Sequence, residues 1–331
     1  MAEEKVSISR RDFLTGAAAA GLTLTVSNAA AKSSKSSKTG LSARRSKRTF
    51  RFAHFTDIHI ELKRQAPDGL AAALRHVQAL EDKPEMIITG GDNIMDCLAA
   101  DENSTTLQFT LLKKVLAKEC KLPVKFCIGN HDVWGWDKEN SKTTGQEPLW
   151  GKKRAIQELN LTNQYYSFDK KSWHIIILDS TYTDTSVYTA RLDEEQFGWL
   201  QQELETHKDA HICIISHIPI LSVATFLDGE NEESGRWTLP DEWMHIDARR
   251  IKDLFLEHPN VHLCISGHTH MVDRVVYNDV TYVCDGAVCG AWWKGKQYEF
   301  DPGYGIFDLF DDGAFEHRYV AYDWKPVEQR Q

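Results

Sequence analysis

The sequence predicts an α/β sandwich with more than one β-sheet. Between residues 50 and 270, short apolar runs rich in β-branched residues alternate with amphipathic stretches of helical period. Beyond residue 270 the helical period disappears and strand-like runs follow one another directly. Strand–helix alternation followed by consecutive strands is typical of α/β folds that contain more than one sheet. No internal repeat of fixed period is visible.

Six continuous apolar runs in the first part of the chain predict buried strands. They cover residues 50–56, 86–89, 124–128, 173–178, 211–215 and 261–265. Four later runs predict further strands at residues 271–277, 280–283, 304–310 and 315–322. Because ligands of open α/β sheets collect beyond the carboxyl ends of the strands, the residues that follow the first six runs are candidates for a functional site.

Four helices are predicted between these strands, each with apolar residues on one side and a capping residue at its start. They span residues 68–81, 104–119, 193–206 and 247–257, with Asp68, Ser104, Asp193 and Asp247 as the expected N-caps.

The amino-terminal region predicts an export signal rather than part of the fold. Residues 7–14 read Ser-Ile-Ser-Arg-Arg-Asp-Phe-Leu, and a weakly apolar Ala-, Gly- and Thr-rich stretch follows them. The paired arginines resemble a twin-arginine signal, so we expect residues 1–31 to engage the twin-arginine export machinery and to direct the chain to the periplasm or the extracellular space. The alternatives are an uncleaved N-terminal anchor and a chance pair of arginines. The stretch is only marginally apolar, which predicts no transmembrane domain in the mature chain.

Residues 32–49 are basic and polar, and they predict a flexible linker ahead of one domain at residues 50–323. The net charge of −9 gives no sign of a stable nucleic-acid partner. Seven cysteines leave at least one thiol unpaired. We expect Cys127, Cys213 and Cys264 to be buried, while the pairs Cys284–Cys289 and Cys97–Cys120 remain open alternatives.

Metal-ligand residue types recur where the predicted strands end. Asp57-Ile-His59, Gly91-Asp92, Gly129-Asn130-His131-Asp132, Ser216-His217 and Gly267-His268-Thr-His270 follow five of the six early runs. Each motif alone is common in polar turns, but the ordered set supplies enough oxygen and nitrogen donors for two metal ions. The glycines at 90, 91, 129 and 267 would let the backbone turn sharply and keep side chains away from the ions.

This ordered set resembles the calcineurin-like metallophosphoesterase family over residues 50–275. The closer similarity is to exported bacterial members of the cyclic-nucleotide phosphodiesterase-like and purple-acid-phosphatase-like kinds. The resemblance implies a four-layer α/β/β/α sandwich of two mixed β-sheets flanked by helices. It also implies that Asp57, His59 and His270 hold one metal, that Asn130, His217 and His268 hold the other, that Asp92 bridges both, and that His131 is the catalytic histidine outside the ligand set.

The function predicted is a dinuclear metal-dependent phosphoesterase that acts on a small phosphorylated substrate. A hydroxide between the two ions would attack phosphorus, since two cations acidify water and neutralise the ester. Phosphodiesters are favoured; a phosphomonoesterase or pyrophosphatase and a non-catalytic metal-binding surface module are the alternatives. Met95 follows the Gly-Asp-Asn-Ile segment where purple acid phosphatases carry a metal-binding tyrosine, which favours a divalent pair of Mn, Fe or Zn.

Several other residues are candidates for accessory roles. Asp96 or Asp132 would orient His131, and the acidic, glycine-containing segment 222–245 would form a lid. Lys294 or Arg236 would meet a further acidic group of the substrate. Five tryptophans follow the third motif or form a consecutive pair near the end of the domain. They would either stack on substrate or pack inside the protein; they are Trp134, Trp136, Trp150, Trp292 and Trp293.

Overall fold

Two mixed β-sheets form the centre of the computed structural model, which describes residues 46–183, 188–227 and 231–326. The predicted export signal at residues 1–31 lies outside these ranges. In spatial order the first sheet contains β13 (Phe315–Ala321), β12 (Gly303–Phe310), β1 (Arg48–Phe55), β2 (Met86–Thr89) and β3 (Val124–Lys125). Strands β1, β2 and β3 are parallel to one another, whereas β12 pairs antiparallel with both β1 and β13.

The second sheet has six strands and a parallel centre. In spatial order they are β10 (Asp273–Tyr277), β11 (Val280–Cys284), β9 (Val261–Ser266), β8 (His211–Ile215), β5 (Trp173–Ile177) and β4 (Tyr166–Lys170). The two outer strands pair antiparallel and the four inner ones pair parallel. Strands β6 (Thr181–Tyr182) and β7 (Thr189–Ala190) pair as a separate two-stranded ribbon.

Helices occupy the connections between the strands. They are α1 (Ala66–Ala79), α2 (Glu102–Glu119), α3 (Lys138–Ser141), α4 (Lys152–Glu158), α5 (Glu194–Thr206), α6 (Asn231–Ser234) and α7 (Ala248–Leu256), with 3₁₀ turns at Asn130–Asp132 and Ala224–Leu227. Among the described residues, none of the helices combines the length and the apolarity that crossing a bilayer requires.

Three apolar clusters separate four layers, as the resemblance implied. In β1, Phe52 points between the two sheets and Phe55 points towards α1 and α2, because side chains alternate along a strand. In β5, Ile175 likewise faces the first sheet while Ile176 faces α5 and α7. The order of layers is therefore helices, first sheet, second sheet, helices, which confirms the α/β/β/α sandwich.

Two predicted helix starts differ from those observed. Helix α1 begins at Ala66 rather than Asp68, because Pro67 fits the first helical turn, where no backbone N–H is needed. Helix α2 begins after Asp101, whose carboxylate accepts a hydrogen bond from the backbone N–H of Ser104 at 2.7 Å. Ser104 is therefore inside the helix and is not its cap.

One predicted strand end also differs. Strand β3 ends at Lys125 rather than at residue 128; beyond it, the N–H of Cys127 still donates to the carbonyl of Thr89 in β2 at 3.3 Å, while the Asn93 side-chain amide donates to the Cys127 carbonyl at 3.0 Å. All seven cysteines carry free thiols, so neither Cys284–Cys289 nor Cys97–Cys120 is a disulfide. Cys127, Cys213 and Cys264 are buried as expected.

Candidate active site

The five polar motifs meet at one edge of the sandwich. The motifs of residues 57–59, 91–92 and 129–132 follow β1, β2 and β3, and those at 216–217 and 267–270 follow β8 and β9. These strands run parallel within each sheet, so their carboxyl ends open on the same side. All seven predicted metal ligands are brought together there, four from the first sheet and three from the second.

One half of the cluster is built from Asp57, His59 and His270. The Nε2 atoms of His59 and His270 lie 3.2 Å apart. The Asp57 Oδ1 atom lies 3.7 Å from Nε2 of His59 and 3.4 Å from Nε2 of His270. Three potential donor atoms therefore face a common space.

The other half is built from Asn130, His217 and His268. Nε2 of His217 lies 3.0 Å from Oδ1 of Asn130 and 3.2 Å from Nδ1 of His268. Asp92 stands between the halves, because its Oδ2 atom lies 3.1 Å from Nε2 of His217 and 3.5 Å from Nε2 of His59. This is the position that a bridging carboxylate requires.

Buried negative charge makes the cluster suitable for cations. Oδ1 of Asp57 is enclosed and accepts no hydrogen bond, which is costly for a carboxylate unless a cation is nearby. Burial would raise the pKa of Asp57, but the charge of His270 outweighs it and holds that pKa well below its usual range. Asp57 is therefore ionised.

Two of the four candidate ligand histidines have lowered pKa values and two have raised ones. Burial lowers the pKa of His59 to about 4 and that of His268 to about 3, so both imidazoles are neutral, the form that binds a metal. Burial would also lower the pKa of His217, but the charge of Asp92 outweighs it and raises that pKa to about 9, and the pKa of His270 is likewise raised above its usual range, so metal binding at these two would release protons. Nδ1 of His270 faces the carbonyl of Gly290 at 2.7 Å, and Nδ1 of His217 faces that of Gly90 at the same distance. Such contacts fix the tautomer and leave Nε2 free for a metal. The donor set therefore fits metal ions.

The backbone is left-handed at five of the seven candidate ligands. The φ angles are 53° at Asp57, 43° at His59, 50° at Asp92, 71° at His268 and 59° at His270. Non-glycine residues seldom adopt this conformation, and such strain concentrates at functional sites. Hydrogen bonds between the loops maintain it, since the N–H of His59 donates to the carbonyl of Asp92 at 2.9 Å.

Glycine is needed at two places where backbone and ligands approach closely. A Cβ atom on Gly267 would lie 1.8 Å from Oγ1 of Thr56 and 2.4 Å from Oδ2 of Asp57. A Cβ atom on Gly129 would lie 2.2 Å from Oδ1 of Asp92. The expectation that these glycines keep side chains away from the ligands agrees with these distances.

His131 lies beside the cluster, with its ring centroid 4.8 Å from that of His59 and 5.4 Å from that of Trp292. Its backbone N–H donates to Oδ1 of Asp92 at 2.8 Å. Nδ1 of its ring has no hydrogen-bond partner, so neither Asp96 nor Asp132 orients it and that expectation is wrong. Asp132 instead accepts hydrogen bonds from the backbone and side chain of Asn93.

A cavity of about 320 Å³ opens over this cluster. Its lining includes Tyr188 and Gln297, which sequence reasoning missed because no local pattern marks them, and Trp243, which lies inside the segment 222–245 that was expected to form a lid. Trp292 also lines the cavity, and its ring centroid is 4.1 Å from that of His59. The other described lining residues are Asp92, Asn130, His131, His268, Thr269 and His270.

Most of the accessory candidates lie elsewhere. Trp134 and Trp293 are buried, and Trp136 and Trp150 line a different surface cleft, so these four pack within the protein or away from the cluster. Lys294 and Arg236 are exposed and do not line the cavity. The expectation that one of them meets an acidic group of the substrate is not supported by these positions.

Comparisons with known proteins agree with this geometry. The family model described as calcineurin-like phosphoesterase matches residues 50–272. A 3′,5′-cyclic-nucleotide phosphodiesterase of Nostoc sp. is 23% identical over 276 residues, which cover 80% of this chain and 89% of that protein. A probable cyclic nucleotide phosphodiesterase of Synechococcus sp. is 24% identical over 227 residues, covering 67% and 74%.

Solved structures show the same fold. A dimetal phosphatase from Danio rerio superimposes with a TM-score of 0.55 at 12% identity, covering 84% of this chain and 100% of that one. GAP50, described as the anchor in the inner membrane complex of Plasmodium, superimposes with a TM-score of 0.51 at 16% identity, covering 86% and 88%. The family model spans two thirds of the chain and includes all five motifs. The chain therefore belongs to the calcineurin-like phosphoesterase family and is a metal-dependent phosphoester hydrolase.

Proposed function

We propose that the protein hydrolyses phosphodiesters at a centre of two divalent metal ions. Asp57, His59 and His270 hold one ion, Asn130, His217 and His268 hold the other, and Asp92 contributes to both. Two ions bound in this way neutralise the ester and supply an ionised water near neutral pH. The observation that carries the proposal is the convergence of these seven side chains into two groups that meet at Asp92.

The preference for diesters is supported by the charge of the cavity. No lysine or arginine is among its described lining residues. A phosphodiester carries one negative charge, which the ions can neutralise, whereas a monoester or a pyrophosphate brings more charge and gains from additional cationic side chains. The names of the two cyanobacterial relatives point to the same substrate class.

His131 is the proposed proton donor to the leaving oxygen. It lines the cavity, and it is placed beside Asp92 by its own backbone N–H. Histidine can donate a proton near neutral pH because its ordinary pKa lies in that range. Trp292 packs against His59 and His131 and lines the cavity beside them.

The test compares two substrates after metal removal and restoration. The protein is treated with a chelator, dialysed, and assayed with Mn²⁺, Fe²⁺ or Zn²⁺ on bis-p-nitrophenyl phosphate and on p-nitrophenyl phosphate. We expect the diester to be hydrolysed at least about tenfold more efficiently than the monoester, a difference of ~1.4 kcal/mol in transition-state stabilisation. Higher efficiency on the monoester would establish the phosphomonoesterase alternative instead.

The Asp92→Ala variant provides the second arm of this test. Because Asp92 faces both halves of the cluster, we expect the variant to lose activity and to retain neither ion on metal analysis. Full metal content in Asp92→Ala would rule out its bridging role. If the wild-type protein binds metal but hydrolyses neither ester, the non-catalytic alternative replaces this proposal.

A further inference from the structure

An apolar groove of about 240 Å³ lies beside the catalytic cavity. Its floor contains Met271 and Ala224, which are buried. Its rim contains Val223, Leu227 and Tyr298, which are three of the ten large hydrophobic side chains that are exposed in the described ranges. This concentration of exposed apolar surface in one concave place is unusual for a surface that only meets water.

The groove adjoins the cavity through two separate stretches of chain. His270 lines the cavity and Met271 lines the groove; Gln297 lines the cavity and Tyr298 lines the groove. Successive Cα atoms are about 3.8 Å apart, so the two spaces share these two stretches of chain as a common wall. A substituent of a phosphate bound at the candidate ligands would pass over this wall to reach the groove.

Both walls of the groove are held by hydrogen bonds. Oδ2 of Asp273 accepts hydrogen bonds from Oγ of Ser222 at 2.8 Å and from the N–H groups of Val223 and Ala224 at 2.8 and 2.7 Å. On the opposite wall, the N–H of Gln297 donates to the carbonyl of Phe300 at 3.0 Å, and the N–H of Phe300 donates back at 2.9 Å. Hydrogen bonds therefore hold both of the turns that form the groove.

Charge indicates what the groove can accept. Among its described lining residues the only carboxylates are Asp273 and Glu299, and no lysine, arginine or histidine lines it. A second phosphate or a carboxylate would be repelled by these two acidic groups. A neutral apolar group would bury the rim side chains and meet no opposing charge.

We propose that this groove binds the apolar ester substituent of an amphiphilic phosphodiester, such as an alkyl or acyl chain. The inference rests on the proposed phosphodiesterase function and adds the substrate class to it. The phosphate lies at the metal cluster, and one of its two ester groups extends past His270 and Gln297 onto Met271, Ala224 and Leu227.

The test is a series of p-nitrophenyl alkyl phosphodiesters with methyl, butyl, hexyl and octyl chains, each used below its micelle-forming concentration with the metal-loaded protein. We expect kcat/KM to rise roughly two- to fourfold for each added methylene until the groove is filled, since burying one methylene is worth up to ~0.8 kcal/mol. The double variant Val223→Ser with Leu227→Ser removes two exposed rim side chains outside the catalytic cluster. It should retain the wild-type rate on the methyl ester and lose most of the dependence on chain length.

A matched control is Val276→Ser with Leu107→Ser, which removes the same residue types from exposed positions that do not line the groove. It should keep the wild-type dependence. A flat chain-length series in the wild-type protein, or an equally steep series in the Val223/Leu227 double variant, overturns the inference while leaving the phosphodiesterase function intact. Failure to hydrolyse even the methyl ester overturns the proposed function, and the inference with it.

Discussion

His131 lies beside the candidate metal ligands, where a histidine could have either of two roles. Its ring lies against His59 and Trp292, and its donor atoms come within 4.8 Å of those of His59 and Asp92, so it could serve either as a ligand or as a proton donor. Both halves of the cluster already have three donors in addition to Asp92. A proton donor is therefore the role that we propose for it.

His131→Ala separates these two roles. We expect metal content to stay at the wild-type level and turnover to fall by about 10²–10⁴-fold, because the leaving oxygen would depart without a proton. The loss should be greatest for alkyl leaving groups and smallest for p-nitrophenol, which leaves readily as an anion. Metal analysis and a leaving-group series measure both effects.

Two results would contradict this assignment. Loss of one metal from His131→Ala would identify the residue as a ligand. An unchanged rate on poor leaving groups would remove it from the mechanism.

The sequence predicted the candidate ligands better than the walls of the cavity. Asp57, Asp92 and His217 were selected because five polar motifs, each common alone, recur in order where the predicted strands end. Tyr188 was not selected, because aromatic residues also pack inside proteins and nothing near it in the chain indicates a site, and Trp243 was included only as part of the segment 222–245 that was expected to form a lid. Only the folded chain brings them beside the cluster.

Helix α5 shows how a single side chain fixes the start of an element. Oδ1 of Asp193 accepts a hydrogen bond from the N–H of Gln196 at 2.7 Å, as the predicted N-cap should. Asp247 also occupies the residue before its helix, α7, but its carboxylate instead contacts Nδ1 of His245 at 2.9 Å and accepts from the N–H of Leu192 at 3.0 Å. The sequence predicts an N-cap equally well at both positions. Whether the carboxylate caps its helix depends on the tertiary contacts that it makes.

Asp193→Ala should lower the free energy of unfolding by about 0.5–2 kcal/mol, the usual cost of losing an N-cap. Asp193→Asn should cost less, because an asparagine side chain also accepts this hydrogen bond. Denaturant unfolding of the three proteins measures the difference, and activity should be unchanged, since Asp193 lies outside the catalytic cavity. Equal stability of Asp193→Ala and wild type would show that the cap contributes nothing here.

At the scale of the whole molecule, the seven candidate metal ligands come from both sheets. Asp57, His59, Asp92 and Asn130 extend from the first sheet, and His217, His268 and His270 extend from the second. The layer order itself could not be derived from hydrophobic periodicity, since a buried strand looks the same in either sheet. It followed from the resemblance, and the alternation of Phe52 and Phe55 then agrees with it.

Because ligands come from both sheets, bound metal should stabilise the complete fold. At a free metal concentration about 100 times the dissociation constant, each ion adds ~2.7 kcal/mol. For a domain of this size, the stabilisation by one ion corresponds to a rise in Tm of roughly 5–10 °C. Calorimetry of chelated and metal-restored protein measures the shift.

The Asp92→Ala variant serves as the control for this measurement, and its Tm should respond little to added metal. A wild-type Tm that does not change with metal would mean that the ions bind weakly or bind the unfolded chain equally well.

The left-handed backbone at the candidate ligands guides the choice of variants for trapping a substrate. Asparagine tolerates this conformation at least as readily as aspartate, whereas β-branched residues do not. Asp57→Asn therefore removes one negative charge while preserving the turn, so a loss of turnover in that variant reports on charge and not on a distorted loop. Such a protein is the better choice for co-crystallisation with an intact ester.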